Sequence, residues 1–105
     1  MLAIYDVSLQ VLRDLRPVLR DVEKRDLDLA RQLRRAATSI TLNLAEGSSS
    51  QGKNRNARYF NALGSAKETR ACLDASLALD YMEAPIPELA DRLDRIIATL
   101  KNIVL

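Results

Sequence analysis

Residues Gln32 to Met82 read QLRRAATSITLNLAEGSSSQGKNRNARYFNALGSAKETRACLDASLALDYM, and this stretch decides the fold. Upstream of Gly47, the apolar positions Leu29, Leu33, Ala36, Ile40 and Leu44 recur at steps of three and four residues, the spacing that keeps side chains on one face of a helix. A helix over 27–46 is predicted, opened by Asp26 as a cap for free backbone amides and closed at Gly47, a residue suited to a left-handed helix terminus. The run from Ser48 to Gly52 reads as a connection, and a second helix over 53–82 follows, with Phe60, Leu63, Ala66, Leu73 and Leu77 as its core candidates. The two helices fold back on each other as a hairpin.

One further helix is expected on each side of the hairpin. Ile4, Val7, Val11, Leu15, Val18 and Val22 form an apolar stripe over a helix at 3–22. Tyr5, Leu9, Leu12 and Leu19 make a second stripe beside it, wider than one side of a small bundle needs, and are expected to meet another subunit. Pro17 lies inside this pattern and predicts a kink, or a restart, between Arg13 and Pro17. Beyond the hairpin, Pro85 forces Ala84 out of helical conformation and Pro87 suits a first helical turn, so a last helix is expected over 88–104, with Leu89, Leu93, Ile96, Leu100 and Ile103 inside. Four amphipathic helices with short connections imply an all-α, antiparallel up-down-up-down four-helix bundle, one domain over 1–105.

Composition agrees with that class and removes several kinds of chemistry. The chain is 48% hydrophobic but only 4% aromatic, so its apolar mass is aliphatic and helix-forming. With no histidine and one cysteine, a di-iron site of the Glu-x-x-His kind and hydrolysis through an imidazole base are excluded, and zinc nearly so, since only carboxylates are left to hold it; no metal, cofactor or small-molecule substrate is expected. Cys72 reads as a small core residue. No apolar run approaches the roughly 20 residues that span a bilayer, and no leader pattern is visible, so a reduced, cytoplasmic protein without a membrane partner is expected.

Charge is unevenly distributed. Residues 31–70 carry eight basic and two acidic groups, whereas 71–105 carry three and six. Arg31, Arg34, Lys53 and Arg55 on the hairpin are candidate phosphate contacts, although the glycines around the loop lack the phosphate-loop pattern. Between the hairpin helices a register suggests itself, because residues facing each other in an antiparallel pair share an index sum. Glu46 with Arg58, Asn43 with Asn61 and Ser39 with Ser65 share the sum 104, and Arg35 with Glu68 gives 103. A polar ladder is expected, each carboxylate neutralised by an arginine and serving to fix register in preference to acid–base catalysis. Gly64 disfavours helix by about 1 kcal/mol relative to alanine, and close packing at the crossing is the reason expected for it.

The segment RRAATSITLNLAEG (Arg34 to Gly47), the helix RYFNALGSAKE (Arg58 to Glu68) and the ending LALDYM (Leu77 to Met82) resemble the bacterial 23S rRNA-intervening sequence proteins. Positions matching that family's motif are Arg34, Arg35, Ala36, Ala37, Ser39, Asn43, Glu46, Gly47, Gly64, Ser65 and Glu68; Asp80 departs from it, standing where a glycine is usual. The resemblance implies a four-helix bundle assembling as a ring-like homopentamer without catalytic residues. It is also similar in fold to accessory variability determinants of diversity-generating retroelements, which bind a reverse transcriptase and RNA through a basic surface.

Together these readings lead to a non-enzymatic homo-oligomer acting by binding RNA or a nucleic-acid-processing protein such as a reverse transcriptase. The alternative is a structural or protein-interaction module with no nucleic-acid role.

Overall fold

The computed structural model describes residues 2–104. Four helices account for most of them: α1 (Ile4–Glu23), α2 (Leu27–Ser48), α3 (Gly52–Ala78) and α4 (Pro87–Val104), with no strand among the described residues. Each helix packs against its neighbours in the chain, and α1 also meets α4, which closes the bundle. The core is aliphatic: Val11, Leu15 and Val22 of α1, Leu33, Ile40 and Leu44 of α2, Leu63 and Leu73 of α3, and Leu89, Leu93, Ile96 and Leu100 of α4 are all buried.

Local chemistry sets the helix ends. Asp26 is extended, and its Oδ1 accepts from the Leu29 amide at 2.9 Å, satisfying a donor that the first turn of α2 leaves free. Gly52, the first residue of α3, has φ +58°, a conformation open to glycine at little steric cost. At the far end of α3, Asp80 takes the same left-handed conformation, with φ 58°. The Asp80 amide donates to Leu77 O at 3.1 Å and the Tyr81 amide to Ser76 O at 2.9 Å, the two-bond pattern of a Schellman terminus. This turn ends α3 at Ala78, four residues short of the expected Met82.

The structure departs from several other expectations. Of the kink or restart expected at Pro17, the restart does not occur, since α1 is continuous through it; the Arg13 carbonyl, which loses its usual amide partner to proline, accepts instead from Arg16 Nε at 3.3 Å. Gly47 does not end α2, which runs on to Ser48. A Cβ at Gly47 would lie 2.3 Å from Tyr59 Cε1, so its missing side chain is the seat of the Tyr59 ring. Tyr59 is therefore the buried aromatic of α3, and Phe60 is 60% exposed. Gly64 is exposed, and among the described residues a Cβ there would meet no atom within 4 Å, so close packing inside the chain is not its reason. At the edges of the predicted stripes, Leu29 and Leu77 are only half-buried and Ile103 is exposed.

Buried polar groups are few and paired. Ser8 donates to Tyr5 O at 2.6 Å and shares a hydrogen bond of 2.9 Å with Thr41, joining α1 to α2 inside the core. Thr69 and Ser76 donate to carbonyls one turn back on α3. No buried side-chain nitrogen or oxygen among the described residues lacks a partner.

Candidate functional site

The seam between α2 and α3 carries the polar residues singled out by the sequence. Its packing layer is small, with Ala36 of α2 and Ala62 and Ala66 of α3 buried, so the polar rungs lie just outside the core. Ser65 Oγ donates to Ser39 Oγ at 2.8 Å, and Glu46 pairs with Arg58 at 3.0 Å. These two pairs share one index sum and set the register of the seam.

The other two rungs are open. Asn43 turns back along its own helix, its Nδ2 donating to Ser39 O at 2.9 Å and to Ser39 Oγ at 3.0 Å, and no hydrogen bond joins it to Asn61 among the described residues. The local carbonyl one turn away outcompetes the cross-helix amide. Arg35 and Glu68 line one groove of about 480 Å³, together with Gln32, Ala36, Ser39 and Ser65, yet form no ion pair. Both are exposed, so water solvates each charge and the Coulombic gain of closing the pair is small. Removing Glu68 therefore does not strand a buried arginine. A second groove, sharing Ser39, Ser65 and Glu68, continues past Asn43, Arg58, Asn61 and Gly64 to the exposed Phe60.

The basic candidates are all exposed but do not form one patch. Arg31 and Arg34 sit on the first part of α2, where Arg34 approaches Glu23 at 3.8 Å. Lys53 and Arg55 sit at the start of α3, beyond the far end of α2, where Arg55 Nε donates to Ser50 O at 2.9 Å. At the register of the seam, Arg34 and Lys53 are about 25 Å apart along the helices, at 1.5 Å per residue.

The doubled stripe of α1 is half-buried in the single chain. Tyr5, Leu12 and Leu19 pack against the core, and Leu9 lines a groove between α1 and α4 with Arg13, Arg92 and Arg95. The width of the α1 face is thus used at least in part by its two helical neighbours. Sequence reasoning missed the Asp14–Arg92 and Arg70–Asp94 pairs that tie α4 to its neighbours, and the exposed Leu42 on α2. Leu42 was detectable, because it falls outside the stripe that places Ile40 and Leu44 in the core.

Chemically the seam offers hydrogen bonding and compensated charge. The thiol of Cys72 is buried on α3, and burial first and the Glu68 carboxylate second push it above the usual range, which disfavours the reactive thiolate. No group of three metal-ligating side chains occurs among the described residues, and none of their helices is long and apolar enough to cross a membrane.

The family model described as 23S rRNA-intervening sequence protein matches residues 1–102. A solved structure of a protein of unknown function from the S23 ribosomal protein family of Bacteroides thetaiotaomicron superposes with a TM-score of 0.80 at 20% identity, over 97% of this chain and 98% of that one. At that identity the likeness is one of fold. No curated protein matches the chain.

Proposed function

The chain belongs to the 23S rRNA-intervening sequence protein family, and from that premise we propose that it is a non-enzymatic homo-oligomer acting by binding RNA, or a protein that processes nucleic acid, through the basic side of α2 and α3. The observation that carries this reading is the charge of the hairpin. Eight basic and two acidic groups lie within residues 31–70, and Arg31, Arg34, Lys53 and Arg55 are all exposed. Exposed cations set well apart suit a long polyanion that can touch both ends of the bundle, where a small anion would meet only one. Membership of a family named for 23S rRNA supports the same reading.

The bundle in this reading is antiparallel, up-down-up-down. Late α1 meets early α2 at Glu23–Arg34 while early α1 meets late α2 at Ser8–Thr41, and the Ser39–Ser65 and Glu46–Arg58 pairs repeat that sense between α2 and α3. The assembly is the ring of five that the family resemblance implies.

Fluorescence anisotropy with a labelled structured RNA tests the binding. Affinity should fall steeply with salt, and Lys53→Ala or Arg31→Ala should weaken binding and lower the salt slope by about one for each phosphate that the variant no longer neutralises. No binding at low salt, or binding unmoved by salt and by both changes, overturns the nucleic-acid reading. A protein-interaction module without a nucleic-acid role is the second reading, favoured by the exposed Phe60 and Leu42.

A further inference from the structure

The outer side of α2 and α3 holds features that a single chain leaves unused. Phe60 is 60% exposed and Leu42 59% exposed, both on helices whose opposite faces already supply the core. Gly64 stands in the middle of α3 with open space where its side chain would be, so nothing inside the chain explains a residue that weakens the helix. Arg35 and Glu68 face one groove with opposite charges, and no ion pair joins them among the described residues.

The register fixed by Ser39–Ser65 and Glu46–Arg58 brings these features into line. On that register Leu42 lies at a level between Phe60 and Gly64, and Arg35 lies at the level of Glu68. A large exposed side chain on α2 thus corresponds to a gap on α3, and a cation on α2 to an anion on α3. Charge decides what kind of surface fits. Arg35 and Arg58 are balanced by Glu46 and Glu68 along the groove, so a polyanion gains no net attraction here, whereas a surface bearing the same alternation does.

We infer that this face is a contact between copies of the chain, in which α2 of one copy lies beside α3 of the next about an axis parallel to the helices, Leu42 seating between Phe60 and Gly64 and Arg35 pairing with Glu68 of the neighbouring copy. Rotation about such an axis preserves level, so each α2 residue meets the α3 residue that shares its rung. Repeated head to tail, the contact closes into a ring. The inference rests on the homo-oligomeric reading above, and it assigns the interface to α2 and α3 where the sequence pointed to the second stripe of α1.

The test is solution mass by light scattering on the full chain and three variants, with thermal unfolding as a check on folding. Gly64→Leu has room in the single chain and should unfold no earlier than the parent, while the assembly loosens at least tenfold and its mass falls toward 11.7 kDa. Arg35→Glu should loosen it as well, and the double swap Arg35→Glu with Glu68→Arg should restore the parental mass. A parent oligomer left intact by both Gly64→Leu and Arg35→Glu overturns this interface while sparing the oligomeric reading. A parent at 11.7 kDa overturns the oligomeric reading and this inference with it. Unchanged masses with RNA affinity abolished would make the groove an RNA site, which also overturns the inference.

Discussion

The seam between α1 and α4 and the seam between α2 and α3 are built from the same kinds of residue and completed to different degrees. Between α1 and α4, Asp14 is only 12% exposed and paired with Arg92, and α4 sinks Leu89, Leu93, Ile96 and Leu100 wholly into the core. Between α2 and α3, two polar rungs close and two stay open, and Phe60, Leu42 and Gly64 face outward. The difference separates residues that the single chain packs or pairs from residues that it leaves open. A helix serving only the single chain would concentrate its apolar residues on one face, as α4 does.

The sharpest way to break this contrast is to truncate one large side chain on each side. Leu93→Ala should cost about 2–5 kcal/mol in chemical denaturation, as core deletions do, while Phe60→Ala should stay within about 0.5 kcal/mol under conditions where the chain is monomeric. Comparable losses would mean that Phe60 belongs to the core. Next in size is Gly47→Ala, whose new methyl group would collide with the Tyr59 ring; a loss of about 1–3 kcal/mol is expected for that overpacking, and Gly64→Ala should instead stabilise the monomer slightly. Parallel melts of the two alanine variants read the sign directly.

Charge pairs make a finer comparison. Asp14→Asn leaves a partly buried Arg92 without its counter-ion and should cost about 1–2 kcal/mol, whereas Glu46→Gln, in a pair roughly half exposed on both sides, should cost less than about 0.5 kcal/mol at 0.15 M salt. Equal effects in urea titrations would erase the distinction between the seams. A gain is expected at the end of α3. Asp80→Gly relieves a left-handed residue at the end of α3 and should add about 1 kcal/mol; an unchanged or lowered unfolding midpoint would mean that the aspartate side chain compensates for its backbone.

Long periodic stripes are legible because burial on one helix face imposes them. The apolar steps of α2 and α4 and the Asp26 cap lead from residue type to local structure with little help from tertiary context. The residues that the sequence misplaces are those whose roles depend on what lies opposite. Tyr59 and Phe60 are adjacent aromatics, and only the hollow at Gly47, on another helix, decides which is buried. Gly64 reads as a packing glycine because that is the usual reason for one in mid-helix, yet the single chain supplies no neighbour. Of the candidate site, the Ser39–Ser65 and Glu46–Arg58 rungs follow from register, since an index sum constrains distance. Whether Asn43 reaches across or back along its own helix is a competition between nearby carbonyls that a register does not resolve.

Assembly of the chain and binding of nucleic acid by its basic hairpin are both read by the light-scattering mass of the unmodified protein at low and high salt, with and without a structured RNA. The expected mass is a salt-stable multiple of 11.7 kDa that grows with RNA only at low salt. A particle of 11.7 kDa, unchanged by RNA at either salt, would contradict it.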